Sequence, residues 1–288
     1  MNKNLPFAFA GRTAMIVAAA SLMTASAQAD VLVYDGFDYT PGSNMSGLNG
    51  GSGWSNSWFT SGTYTATSGS IAPSSLLSED GFVSAPSAGG TFSREYGTSV
   101  VGTGDEELWF SFAMNRAADG GGSAKKVSVN PFSNTTNADA GQFLGIFSDN
   151  NTTDAVARIR WGTSSQIDTS STFTLGVGTN YFIYGQAVFT EAGTTTLNLW
   201  VVESSTDIST LSPSDPATAT VVSTSFSSSN QNALDTWATA QGVEPSNFDE
   251  FRIGDTFSDV VVVVPEPSTY ALMGGMLVLG LAVLRRRR

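Results

Sequence analysis

The 288-residue chain contains no cysteine and no histidine. Without cysteine there is no disulfide, so stability must come from the size of the core and from any bound metal. Without histidine a Ser-His-Asp triad is excluded, and so is His-ligated zinc; the two absences together exclude a Cys-His dyad. Charge is also scarce, at 13% of residues, and it is lopsided. All 25 acidic residues lie within 30–266, together with only seven of the 13 basic ones, a net charge of −18 over that stretch. Such a surface repels nucleic acid and anionic lipid, and it attracts divalent cations. No long segment carries helical periodicity, and no internal repeat is present.

The remaining six basic residues sit at the two ends. Lys3 and Arg12 precede an apolar stretch from Ala14 to Met23, followed by Ala27-Gln28-Ala29. Positive charge, a short apolar run and a small-x-small site predict a signal peptide over 1–29, cleaved by signal peptidase after Ala29. At the other end Val264-Pro-Glu-Pro-Ser268 is a stiff extended element, because each proline fixes its own φ and restricts its predecessor. An uncharged apolar stretch follows to Leu284, then Arg285, Arg286, Arg287 and Arg288. As a helix this stretch rises roughly 25 Å, slightly under the bilayer core, with arginines able to snorkel. The arginines keep that end cytoplasmic and the body outside. The expected division is signal peptide 1–29, β-sandwich 30–259, linker 260–268 and transmembrane helix with arginine cluster 269–288.

The order Pro265-Glu266-Pro267, short apolar helix, arginine cluster resembles the PEP-CTERM sorting signal. The resemblance implies a Gram-negative bacterium that makes exopolysaccharide, processing by an exosortase near Pro265–Pro267, and passage through the inner membrane to the cell surface or extracellular matrix. An ordinary tail anchor is the alternative.

Between the ends lie short alternating runs separated by Gly, Ser, Asn and Asp, which is an all-β pattern. Strands are expected at Val31–Tyr34, Glu107–Met114, Gln142–Ser148, Ala155–Trp161, Asn180–Phe189, Thr194–Val202 and Phe248–Gly254. Leu108, Phe110, Phe112 and Met114 fall on one face; Ala157, Ile159 and Trp161 face away from Arg158 and Arg160. Glu191-Ala-Gly193 is a hairpin signal. Asn232–Gln241 reads as a short helix or turn. This spacing of strands predicts a sandwich or jelly roll of roughly 230 residues in one domain. Tyr34-Asp-Gly-Phe-Asp-Tyr39, Gly53-Trp-Ser-Asn-Ser-Trp58, Leu108–Phe112 and Phe248–Gly254 resemble pieces of concanavalin-like, laminin-G-like jelly rolls. That resemblance implies a carbohydrate- or protein-binding scaffold, some of whose relatives are glycosidases.

Four sets of residues are candidates for function. Asp249, read on an unbroken strand, shares a face with Phe251 and Ile253, and a carboxylate there needs a partner. Backbone donors are one such partner and Ca2+ is another, with Asp35 and Asp38 joining if the chain ends pair. Asp149–Asp154 is a second oxygen-rich loop. Trp54 and Trp58 lie in a Gly- and Ser-rich segment, either facing a sugar or plugging one end of the sandwich, whereas Trp109, Trp161 and Trp200 sit within strands and read as core. The Glu-x-Asp-x-x-Glu strand of related glucanases is absent, and Asp105-Glu-Glu107 lacks its spacing. The reading is a surface-sorted, non-catalytic sandwich that binds or sits within polysaccharide. A glycoside hydrolase or lyase of this fold, or a purely structural matrix protein, are the alternatives.

Overall fold

A computed structural model describes residues 31–264 and Arg285, except for 86–88, 97–103, 118–126, 137–140, 149–152, 162–165, 227–233 and 243–244. The expected signal peptide, Pro265–Pro267, the transmembrane helix, Arg286–Arg288 and most of the Asp149–Asp154 loop lie outside the described residues. No helix among the described residues is long and apolar enough to cross a membrane.

The strands are β1 (Val31–Asp35), β2 (Phe59–Ser61), β3 (Thr65–Thr67), β4 (Phe82–Ser84), β5 (Gly90–Glu95), β6 (Glu106–Arg116), β7 (Val127–Ser133) and β8 (Phe143–Ser148). Then follow β9 (Asp154–Trp161), β10 (Gln166–Thr169), β11 (Phe173–Thr174), β12 (Asn180–Phe189), β13 (Thr195–Glu203), β14 (Ala219–Ser223), β15 (Thr236–Gln241) and β16 (Ser246–Gly254). One turn of helix, α1 (Phe257–Val260), ends the series. Two eight-stranded antiparallel sheets result. The first runs β14-β13-β12-β6-β16-β4-β3 with β1 on β16, and the second runs β10-β9-β8-β7-β15-β5-β2 with β11 on β9. The architecture is a jelly-roll β-sandwich.

The alternation in the sequence builds the core directly. Leu108, Phe110, Phe112 and Met114 all point inward from β6 and are buried, opposite Val129, Phe132, Leu144, Ile146 and Ile159 of the second sheet. The hairpin closes where Gly193 takes φ +83, between β12 and β13. Trp109, Tyr184 and Trp200 face the other way and are covered by Leu76, Ile208, Val260 and Val261, forming a second apolar cluster on the outside of the first sheet. The first and last strands do pair, Asp35 opposite Phe251.

Two expectations are corrected. Thr236–Gln241 is neither helix nor turn but strand β15, central in the second sheet. Its alanines suggest helix by propensity, yet Trp237 stacks on Phe251 at 4.2 Å in the core, so tertiary packing overrides local preference. The fold also runs past residue 259. Val260 and Val261 are buried and Val263 bridges Leu76, so the start of the expected linker is part of the body.

Candidate functional site

The first polar constellation is built around Asp35, which projects inward from the end of β1 and is 1% exposed. Its Oδ1 accepts from the Phe37 amide at 2.9 Å. Its Oδ2 accepts from the Tyr39 hydroxyl at 2.7 Å, Trp58 Nε1 at 2.8 Å and Arg94 Nη1 at 2.9 Å. Arg94 also donates to the carbonyl of Gly50 and, through Nε, to that of Asn56. Its guanidinium lies 5.0 Å from the Trp54 ring and 5.5 Å from that of Trp58. Every oxygen of Asp35 is therefore held by the protein. The residues of the Tyr34–Tyr39 and Gly53–Trp58 segments meet here as a structural node that ties β1 to β5.

Trp58 and Trp54 both pack around this node. Trp58 is 1% exposed and stacks on Phe92 at 4.0 Å, so it belongs to the core rather than facing a sugar. Trp54 is half-buried, packs against Trp58 and Tyr96, and donates to the Tyr34 carbonyl at 2.9 Å. Trp109 and Trp200 are buried, and Trp161 packs against the core.

Asp249 departs from its expected place because β16 is not an unbroken strand. Glu250 takes φ +56, and the register with β6 shifts between Asp249 and Arg252. One inserted residue reverses the parity of everything before it. Phe251 and Ile253 remain in the core, while Asp249 lies beside Ala113 on the outer face, under the segment 70–79. Asp249 Oδ2 accepts from Ser70 Oγ at 2.7 Å and from the Ile71 amide at 3.1 Å, while Oδ1 has no hydrogen-bond partner. Burial pushes this carboxyl up to about 8, and the Glu250 charge adds to the shift against the pull of the Ser70 hydrogen bond.

The bulge also turns Glu250 to that outer side, although adjacent acids on a regular strand face opposite ways. Glu250 accepts from the Glu79 amide at 2.8 Å, from Arg252 at 2.6 Å and from the Tyr34 hydroxyl at 3.3 Å. Burial raises its carboxyl above the ordinary value, opposed by Arg252. Glu79 is raised too, by partial burial and then by the Glu250 charge. The three residues considered for Ca2+ therefore do not converge. Asp35 lies inside the first sheet, Asp249 outside it, and Asp38 is exposed. Among the described residues no three acidic groups form a metal site. Arg94, Arg252 and Glu79 were not singled out from sequence, and Glu250 was read only as facing away from Asp249. The signal available was that Arg94 and Arg252 are two of only seven basic residues in the acidic body.

A second constellation occupies the outer face of the second sheet. Phe143, Gly145 and Phe147 alternate on β8, and Gly145 pairs with Arg158 of β9. A side chain at position 145 would collide with the Val129 carbonyl oxygen and with Asn130. The Arg158 guanidinium lies 4.2 Å from the Phe147 ring and 5.6 Å from that of Phe143. Arg160, two residues on, lies 5.9 Å from Phe143. Both arginines are half-buried and have further interactions within the fold.

Residues 263–288 match the PEP-CTERM protein-sorting motif. Comparison with curated proteins finds no match. Among solved structures, the chain is similar to a marine alginate lyase from Aplysia kurodai, with a TM-score of 0.44 and 8% identity over 66% of this chain and 87% of that one. It is also similar to a carbohydrate-binding module from Bacillus subtilis, with a TM-score of 0.40 and 10% identity over 68% and 94%. A β-glucanase catalytic domain from Podospora anserina gives 0.41 and 11% over 67% and 79%. At such scores and identities, what these proteins bind or cleave does not transfer to this chain. The chain is a jelly-roll β-sandwich protein that carries a PEP-CTERM sorting motif, the mark of an exported, exosortase-processed, surface-sorted protein.

Proposed function

We propose that the sorted body is a non-catalytic module that binds carboxylate-bearing extracellular polysaccharide on the outer face of its second sheet. The observation that carries this reading is the pair Arg158 and Arg160, two of the few cations of a strongly acidic body, braced on Phe143 and Phe147. Guanidinium forks match carboxylates geometrically. Phe147, part-exposed beside Arg158, offers an apolar surface to a pyranose face, and stacking restricts the arginines before a ligand arrives. The acidic charge elsewhere does not defeat this, since at physiological ionic strength charges beyond about 8 Å are largely screened.

The absence of catalysis is inferred from the acids. Asp249 and Glu250 are both buried beneath segment 70–79, out of reach of a polymer, and Asp35 is consumed by four donors. The test is titration of the mature protein with a polyuronate and with a neutral glucan, alongside an assay for released unsaturated or reducing ends. Polyuronate binding is expected to weaken at least about tenfold in the Arg158→Gln/Arg160→Gln variant, since losing one charge-assisted contact costs more than about 1.4 kcal/mol. Equal affinity of wild type and variant would refute the site. Turnover abolished by a single Asp or Glu substitution would refute the non-catalytic reading.

A further inference from the structure

The chain does not leave the sandwich as a free tether. Val260 and Val261 are buried in the outer apolar cluster with Leu76 and Trp109. Beyond them the backbone pairs with residues 75–77. The Leu77 amide donates to the Val262 carbonyl at 2.8 Å, and the Val264 amide donates to the Ser75 carbonyl at 2.9 Å. Leu76 and Val263 are thereby antiparallel bridge partners. Segment 70–79 is itself fastened to β16. Asp249 holds Ser70 and Ile71, Glu250 holds the Glu79 amide, and Arg252 donates to the Leu77 carbonyl. The next residue after this pairing is Pro265, the first of Pro265-Glu266-Pro267.

We propose that segment 75–77 and residues 261–264 form a latch, an autoinhibitory contact that withholds the sorting motif from its processing enzyme. The proposal rests on the sorting reading of the motif. A peptidase or transpeptidase takes its substrate as an extended strand whose backbone groups pair with the enzyme on either side of the scissile bond. Here the Val262 carbonyl and the Val264 amide are already paired with the chain's own body. A proline offers no amide at 265 or 267, so the amides on the body side of the motif matter more. The enzyme must therefore wait for the latch to open. Opening breaks two backbone hydrogen bonds and uncovers Leu76 and Val261 while both sheets stay intact, a local event rather than global unfolding. When opening and closing are fast, the rate of cleavage follows the open population.

The absence of native cysteine makes a direct test clean. Leu76 and Val263 form a non-hydrogen-bonded antiparallel pair, flanked by the two bonds above, and such partners have Cα atoms about 4.5 Å apart, within reach of a disulfide. The full-length Leu76→Cys/Val263→Cys variant is presented to exosortase-containing membranes in oxidised and reduced form, and loss of the tail is followed by mass. The oxidised form is expected to be processed at least about tenfold more slowly than the same variant reduced, because its open population is removed. Equal rates overturn the latch. Leu76→Ala, which loosens the pairing without touching the motif, is expected to be processed several-fold faster than wild type; an unchanged or slower rate also overturns it. Wild type and Leu76→Ala both left intact by those membranes would overturn the sorting reading, and the latch with it.

Discussion

Raising the pH is expected to destabilise this fold through Asp249, the reverse of what an ordinary salt-bridged carboxylate does. The group ionises near 3.8 in an unfolded chain and near 8 in the folded one, chiefly because it is buried. Below both values it is neutral in either state and has no effect. Between them the unfolded chain has released a proton that the folded chain keeps, so stability falls by roughly 1.4 kcal/mol per pH unit. The full penalty, on the order of 5 kcal/mol, is reached above about pH 8. Burial raises Glu250 in the same direction, so it steepens the same slope. Asp249→Asn removes the titration, and an amide of the same shape can still accept from Ser70 and Ile71. Melting of the mature protein in steps from pH 4.5 to 8 is the assay. The wild-type midpoint should fall across that window, and the variant should fall less and be the more stable of the two at pH 8. Parallel slopes for the two proteins would refute the reasoning.

Two further substitutions probe the seam where the chain ends meet. Asp35→Ala removes the acceptor of four hydrogen bonds and leaves Arg94 buried and uncompensated, so a loss of about 3–5 kcal/mol is expected in urea unfolding; a loss no larger than a surface substitution would show that the node is incidental. Gly51 and Gly53, at φ +69 and +80, run along β1 so closely that a Cβ would collide with the carbonyl oxygens of Tyr34 and Leu32. Gly51→Ala is expected to lower the melting midpoint through at least about 1–2 kcal/mol of left-handed strain, and a neutral effect would contradict the close approach.

Long, alternating strands were legible because one face of each is core and the other is not. β6, β12 and β13 announce themselves by residues two apart. The hairpin between β12 and β13 was legible for a different reason, a glycine where the backbone needs positive φ. Short strands such as β2 and β3 at the sheet edges, and β4 next to β3, carry three residues each, too few to show a period. β15 was hidden by its alanines. Those alanines face away from Trp237, and only the register with β5 and β7 shows why small residues stand there. The site was less legible than the fold. Pairing of β1 with β16 was considered only as a condition for a shared site, a single left-handed Glu250 reversed the face of Asp249, and no local feature of Phe248–Gly254 marks that bulge. Trp58 was ambiguous because a Gly- and Ser-rich surround suggests exposure. Those glycines instead let the backbone hug β1 and carry the indole into the core.

The scarcity of charge in the sequence acquires a meaning once burial is known. Among the described residues three arginines are buried, Arg94, Arg116 and Arg252, and so are four acids, Asp35, Asp249, Glu250 and Asp259. Ionised together they would leave one uncompensated negative charge away from water, which is costly without a partner. Asp35 has Arg94 at 2.9 Å and Glu250 has Arg252 at 2.6 Å. Asp249 has a hydroxyl, an amide and one oxygen with no hydrogen bond. Holding Asp249 neutral brings the buried charges to three of each sign, and burial pushes its carboxyl up to about 8. The same residue anchors the start of segment 70–79, which in turn grips the chain just before its sorting motif.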